Sequence, residues 1–306
     1  MSDGAGTQHA ARSTQHSAQR TFWLELLGAE VRYYDAGGVR TRVIEAGSGP
    51  ALVLLHGTGG HAESWVRNVL PLAAQFHVYA LDMVGHGFSD KPELAYTPRD
   101  YARHVVAFLD AAGVAKAHVN GESLGGWVAL WLGLERPDRV DRLILNTAAG
   151  LKLSEAQQIV PPQRAEMARL TKEAIENPNL DTVRRRLEWL VKDPADITDE
   201  LVVTRLRIYA DPATRKVMPR ILEGAALGGG DTPNPDVITP DHLRRVPHPT
   251  LVLWTSDNPG TTWQEAEGAA DMLPHGQFRL LGDCAHWPQY EQADEYNRVV
   301  REFLQG

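Results

Sequence analysis

The sequence predicts an α/β fold: a mainly parallel sheet with helices on both faces, interrupted once by a helical insertion. Three observations predict it. Residues 51–55 (Ala-Leu-Val-Leu-Leu) and 250–254 (Thr-Leu-Val-Leu-Trp) are continuous apolar runs, as strands buried on both faces require. Strand-like runs then alternate with segments of helical period, the pattern that parallel crossover connections produce. Between about residues 151 and 247 this alternation stops and only helical patterns remain. The division that follows is a tail over 1–20, a core made of 21–150 and 248–306, and a helical lid over 151–247.

The elements follow in order. Residues 22–27 read as a short helix. Residues 31–35 and 39–45 alternate apolar and polar side chains around Gly37-Gly38, which predicts a hairpin at a sheet edge. The buried strand 51–55 precedes a helix over 65–74 and a strand over 78–82. A helix over 100–112 has Thr97-Pro98 in front of it as a cap. A strand over 117–120 leads into a helix over 127–134, and 140–146 is the next strand. Helical patterns then cover 164–175, 181–191, 198–209 and 214–227 before Gly228-Gly229-Gly230 breaks the series. Strand 250–254, helix 264–273, strand 277–281 and helix 295–304 complete the chain.

Composition narrows the function classes. The chain has 306 residues, 43% of them hydrophobic, enough for a sizeable core. Its net charge of −8 is spread without long runs, which argues against nucleic acid and against an anionic membrane surface. No apolar run approaches the roughly 18 residues of a spanning helix. The first 20 residues are rich in Ser, Gln, Ala, Gly and His and lack an apolar signal core, so a disordered tail and a cytoplasmic location are expected. The single cysteine, Cys284, excludes an internal disulfide and reads as a structural thiol.

The chemistry concentrates at strand ends, where a doubly wound sheet builds its sites. Gly121-Glu122-Ser123-Leu124-Gly125 reads G-x-S-x-G between a strand and a helix. A serine on so tight a turn needs small neighbours, and the turn exposes its hydroxyl beside the Leu124 backbone N–H. His56-Gly57-Thr58-Gly59-Gly60 follows strand 51–55 and can turn backbone N–H groups toward a developing oxyanion. Asp257 follows strand 250–254, and His286 follows strand 277–281. The chain order Ser, acid, His is the one that accompanies this type of elbow. Serine needs a base to take its proton, and the imidazole needs a carboxylate to fix its tautomer and support its charge.

At these residues the chain resembles the α/β-hydrolase superfamily, over roughly residues 30 to 306. Within it the chain is most similar to hydrolases of meta-cleavage products, which split carbon–carbon bonds during aromatic-ring degradation. The segment Cys284-Ala285-His286-Trp287-Pro288-Gln289-Tyr290-Glu291-Gln292-Ala293-Asp294-Glu295-Tyr296-Asn297 looks like that family's stretch around its catalytic histidine. Asp196-Ile197-Thr198-Asp199-Glu200-Leu201 resembles its lid. The resemblance implies a triad of Ser123, Asp257 and His286, and an oxyanion hole of Thr58 and Leu124. It also implies a pocket lined by Trp287 and a carboxylate anchor at Arg205, for which a solvated lid arginine is the alternative. Trp189 and Leu190 are candidates for the apolar face of the lid. No metal or organic cofactor is implied, the partner is a small-molecule substrate, and a homodimer is a family-level expectation.

Three departures stand out. The family commonly has Asn before the nucleophile, near the substrate's acidic end. Glu122 stands there, and its carboxylate would repel an anionic substrate unless protonated or turned away. The oxyanion loop lacks the family's usual run of glycines. The superfamily's acid normally falls four residues after the strand's tryptophan, where this chain has Asn258, with Asp257 one residue earlier. Either the loop is shifted so that Asp257 meets His286, or Asn258 occupies the acid's place and weakens the site, or catalysis has been lost and a pocket kept. The reading favours Asp257. The function implied is serine hydrolysis of 2-hydroxy-6-oxo-dienoate ring-cleavage products. The alternatives are a carboxylesterase or lactonase on the same triad, and a catalytically weakened ligand-binding homologue.

Overall fold

The structure is a computed structural model that describes residues 21–153, 162–225, 228–229 and 232–306. The expected tail over 1–20, the end of the helix expected over 214–227, and Gly230 lie outside the described residues. Eight strands form the main sheet among the described residues: β1 (Glu30–Asp35), β2 (Arg40–Ala46), β3 (Ala51–Leu55), β4 (His77–Leu81), β5 (Ala117–Glu122), β6 (Val140–Asn146), β7 (Thr250–Thr255) and β8 (Gly276–Leu281). Their spatial order is β1-β2-β4-β3-β5-β6-β7-β8. The β1–β2 hairpin lies at one edge and is antiparallel, as is β2 to β4, while every later pairing is parallel.

Strands β3 and β5 are the centre of this sheet, and their side chains are buried on both faces apart from Ala51. Their adjacency brings two of the chemistry-bearing loops together, because Leu55 at the end of β3 pairs with Gly121 near the end of β5. One apolar layer packs helices α1 (Pro98–Ala111), α2 (Leu124–Glu135) and α7 (Trp263–Met272) against the sheet. The opposite layer packs the short helix Val69–Ala73 and α8 (Ala293–Gln305). Thr97 caps α1 in a reciprocal capping box with Asp100, an arrangement worth about 1 kcal/mol.

The helix expected over 65–74 is broken. Residues Ala62–Trp65 form a 3₁₀ turn and Val69–Ala73 a separate α-helix. The break falls at Arg67 and Asn68, whose side chains are drawn to the Tyr290 and Gln289 carbonyls and, for Asn68, to the Asn297 amide oxygen. Tertiary hydrogen bonding has overridden local helical preference there.

Between β6 and β7 lie α3 (Pro162–Glu176), α4 (Leu180–Glu188), α5 (Asp199–Ala210) and α6 (Pro212–Gly224). They close over the carboxyl ends of the central strands. Trp127 and Trp131 of α2 both donate their indole N–H to the Asp236 carbonyl at 2.6 and 2.7 Å, joining this segment to the sheet layer. No helix among the described residues is long and apolar enough to cross a membrane.

Candidate active site

The turn after β5 is built by crowding. A side chain at Gly121 would collide with the Gly125 carbonyl, and one at Gly125 with the Leu55 carbonyl. Ser123 between them has φ 52° and ψ −114°, a strained conformation for a non-glycine residue. Its N–H donates to the Asn146 carbonyl at 3.0 Å, which fixes the turn to β6. Leu124 is the first residue of α2, so its N–H has no intrahelical acceptor and is directed to the space in front of the serine.

A small, narrow cavity opens at this turn. Its floor is Gly57, Thr58, Gly60, Glu122 and Ser123, with His286 and Trp287 at one side. Met167, Arg186, Leu190 and Arg205 reach it from the helical segment. Trp189 stacks edge-on to the His286 ring with centroids 5.9 Å apart. The structure therefore gathers Ser123, His286, Thr58, Glu122, Arg205 and Trp287 around one space.

Asp257 is the exception, and here the sequence-based expectation is corrected. The His286 Nδ1 atom lies 2.7 Å from Asn258 Oδ1. Asp257 instead accepts from the Ser256 hydroxyl at 2.7 Å and pairs with Lys192 at 3.1 Å on the exposed side of the loop. Those two partners hold its carboxyl below the ordinary range. The loop keeps its usual phase because Asn258 Nδ2 and the Trp254 indole N–H both donate to the Thr261 carbonyl, at 2.8 and 3.0 Å.

That closure also settles which way the amide faces. A carbonyl only accepts, so Nδ2 must point to Thr261 and Oδ1 to the imidazole. Asn258 thus accepts from His286 Nδ1–H and leaves Nε2 with its lone pair toward the cavity. The tautomer is the one a base for Ser123 requires. What the amide lacks is negative charge.

The histidine's loop is held firmly. Glu291 accepts from the backbone N–H of both Ala285 and Trp287, at 3.0 and 3.1 Å, on either side of His286. The His286 N–H donates to the Leu190 carbonyl at 2.9 Å, and its own carbonyl accepts from Thr147 Oγ1 at 2.9 Å. Cys284, two residues earlier, is a buried free thiol whose pKa burial pushes up to about 12, so it is not a thiolate nucleophile.

Glu122 lies at the centre of the electrostatics. It is 1% exposed, and its Oε1 sits 3.2 Å from His286 Nε2. Burial raises its pKa to about 8, against the pull of the Gly57 N–H, Arg186, Arg205 and Trp287. Near neutral pH the side chain is mostly uncharged, which removes the repulsion of an anionic ligand foreseen from the sequence. A side chain at Gly57 would come within 2.5 Å of Glu122 Oε2, so the glycine makes room for this carboxyl.

Two buried guanidinium groups face the same space. Arg205 is 1% exposed rather than solvated, and only its Nη1 is engaged, donating to Tyr209 Oη at 3.2 Å. Arg186 is 2% exposed, with Nε on Thr171 Oγ1 at 2.7 Å and Nη1 without an acceptor. Tyr209 in turn donates to the Gly59 carbonyl at 3.2 Å, joining α5 to the loop that carries Thr58. Arg186 and Tyr209 went unnoticed in the sequence. The signal for Arg186 was its position beside Val183 and Leu187 on the buried face of α4 rather than in a solvated Arg184-Arg185-Arg186 run. Among the described residues no group of three or more His, Cys, Asp or Glu side chains gathers as metal ligands would.

A strained serine turn, a correctly oriented imidazole and a helix-start N–H beneath a helical cover define a serine-hydrolase site. Residues 50–293 match the alpha/beta hydrolase fold family, and the chain belongs to that family. Within it the chain is a hydrolase that falls with the meta-cleavage product hydrolases. It is 31% identical to the 2-hydroxy-6-oxo-6-(2'-aminophenyl)hexa-2,4-dienoic acid hydrolase of Metapseudomonas resinovorans, over 89% of this chain and 90% of that one. The solved 2-hydroxy-6-oxo-6-phenylhexa-2,4-dienoate hydrolase of Rhodococcus sp. strain RHA1 superposes with a TM-score of 0.78 at 28% identity, covering 91% of this chain and all of that one, 100%. The meta-cleavage product hydrolase of Pseudomonas fluorescens IP01 gives 0.75 at 27% identity, covering 91% and 98%.

Proposed function

We propose that the protein hydrolyses a carbon–carbon bond in 2-hydroxy-6-oxo-dienoate ring-cleavage products. The observation that carries this reading is the pair of buried arginines, Arg186 and Arg205, opening onto the cavity that holds Ser123 and His286. Buried guanidinium N–H groups without acceptors are costly, and a ligand carboxylate satisfies them. An ordinary neutral ester supplies no such group. The substrates named for the relatives are dienoic acids, which do.

In this reading the substrate first becomes its keto tautomer, whose carbonyl can receive the electrons of the breaking bond. Ser123 attacks the distal ketone as His286 Nε2 takes its proton. The N–H groups of Thr58 and Leu124 hold the oxyanion, a contribution of roughly 3 kcal/mol for each well-placed donor. The electron pair of the cleaved bond passes to the dienoate fragment, which His286 reprotonates. A water that His286 deprotonates then attacks the acyl-Ser123 ester, releasing the second fragment as a carboxylic acid and returning the proton to Ser123. Arg205, with Arg186 beside it, anchors the carboxylate, and Trp287 shapes the wall. Residues 151–247 act as a lid over residues 21–150 and 248–306. A cytoplasmic location, expected from the composition of residues 1–20, and a homodimer, expected from the family resemblance alone, belong to the same proposal.

The test is turnover of a 2-hydroxy-6-oxo-dienoate, followed by loss of its visible absorbance, against p-nitrophenyl acetate. We expect dienoate hydrolysis that Ser123→Ala abolishes. Strong ester cleavage without dienoate turnover would overturn the proposal in favour of an esterase.

A further inference from the structure

We propose that Glu122 is a catalytic carboxyl of this site, compensating the charge of His286 at Nε2 because Asn258 cannot do so at Nδ1. The inference rests on the reading of Ser123 as nucleophile and His286 as its base. The ring is held between two side chains: Asn258 Oδ1 at 2.7 Å from Nδ1, and Glu122 Oε1 at 3.2 Å from Nε2. The amide selects the tautomer but adds no charge to offset an imidazolium, the second task of the acid in a serine triad. Asp257 cannot supply it, being turned outward to Lys192 and Ser256.

Glu122 is the carboxyl that the fold delivers instead. It is buried at the elbow, and its Oε1 accepts no hydrogen bond in the resting arrangement. A buried polar atom left so is exceptional and requires a reason. An Nε2–H formed when His286 takes the serine proton satisfies it. The groups facing Glu122 are the Gly57 N–H from the β3 loop, Arg186 of α4, Arg205 of α5, and His286 and Trp287 from the loop after β8. Tyr296 of α8 also senses its charge.

The proton balance is closed. As the Ser123 Oγ–carbon bond forms, the Oγ–H bond breaks and its proton passes to His286 Nε2, where the Glu122 carboxylate shares it. As the substrate's carbon–carbon bond breaks, its electron pair stays on the leaving carbon, which takes that proton back. The pair gains one proton in the first half-step and gives it up in the second, so its charge is restored once the carbon–carbon bond has been cleaved. Only the ionised carboxyl can act in this way, so kcat rises with pH as Glu122 loses its proton, near pH 8.

The test compares wild type, Glu122→Gln, Asn258→Asp and the double variant in dienoate turnover across pH 6 to 10, with Ser123→Ala as reference. The amide of Glu122→Gln is isosteric with the protonated acid, and Glu122→Asp serves as a second variant that keeps a carboxyl. We expect Glu122→Gln to lower plateau kcat by roughly 10²-fold, the scale of a lost acid–base group, and to remove the limb near pH 8. Glu122→Asp should keep that limb. Asn258→Asp should rescue Glu122→Gln by a larger factor than it changes wild type. The inference is overturned if Glu122→Gln keeps the wild-type kcat and pH limb, or if Asn258→Asp acts equally in both backgrounds. Residual full turnover in Ser123→Ala would instead overturn the serine reading beneath it.

Discussion

Replacing Glu122 by Gln should stabilise the protein, and by an amount that grows with pH. A carboxyl whose pKa stands at about 8 when folded and near the ordinary 4.5 when unfolded binds its proton more tightly in the native state. Between those two values the unfolded chain has released the proton and the folded chain has not. Stability from this group is therefore full below about pH 4.5 and is lost progressively as pH rises toward 8. At 1.36 kcal/mol per pH unit, the gap amounts to roughly 5 kcal/mol by pH 8. Glutamine carries the same shape without the titration. Other ionisable groups are common to both proteins and cancel in the difference. Urea unfolding of wild type and Glu122→Gln at pH 5, 6.5 and 8 measures it directly. The variant's advantage should be small at pH 5 and reach several kcal/mol at pH 8. A difference that stays constant over this range would refute the claim that burial holds Glu122 neutral.

Asp257→Asn should change dienoate kcat by less than about threefold, because an exposed ion pair to Lys192 contributes little; steady-state kinetics beside Asn258→Ala, which removes the acceptor from His286 Nδ1 and should cost far more, checks this. Arg205→Met and Arg186→Met should each raise KM for a dienoate by roughly 10- to 100-fold, the scale of a hydrogen bond to a charged group, while leaving KM for p-nitrophenyl acetate nearly unchanged. Equal effects on both substrates would show that these arginines only support the fold.

Much of the fold was legible in the sequence because its central strands announce themselves by local composition. Ala51–Leu55 and Thr250–Thr255 could be placed from apolar runs alone. The elbow was legible for a different reason: steric crowding leaves few residue types able to occupy it. The partner of His286 was not legible. Whether residue 257 or 258 turns inward depends on the Thr261 carbonyl gathering the Trp254 indole and the Asn258 amide, a closure made by the folded loop. The break at Arg67 and Asn68 escaped notice because its cause lies more than 200 residues away, at Gln289, Tyr290 and Asn297. Arg186 was hidden by its chemistry, and Arg205 was reached only through the family resemblance. Both arginines occupy buried helix faces, at positions where periodicity leads one to expect a leucine.

The bond from His286 N–H to the Leu190 carbonyl ties the histidine's loop to the stretch that follows α4. Leu190 and Lys192 follow α4, and Lys192 donates its own N–H to Glu291, the carboxyl that also gathers the backbone on either side of the histidine. Lifting this stretch to admit a ligand would strip acceptors and donors from the base's own loop. A cavity opened by such a movement would be an unarmed one, and admission and bond cleavage would then alternate within each turnover. A bulkier substrate that props the cover ajar would lose turnover before it lost affinity.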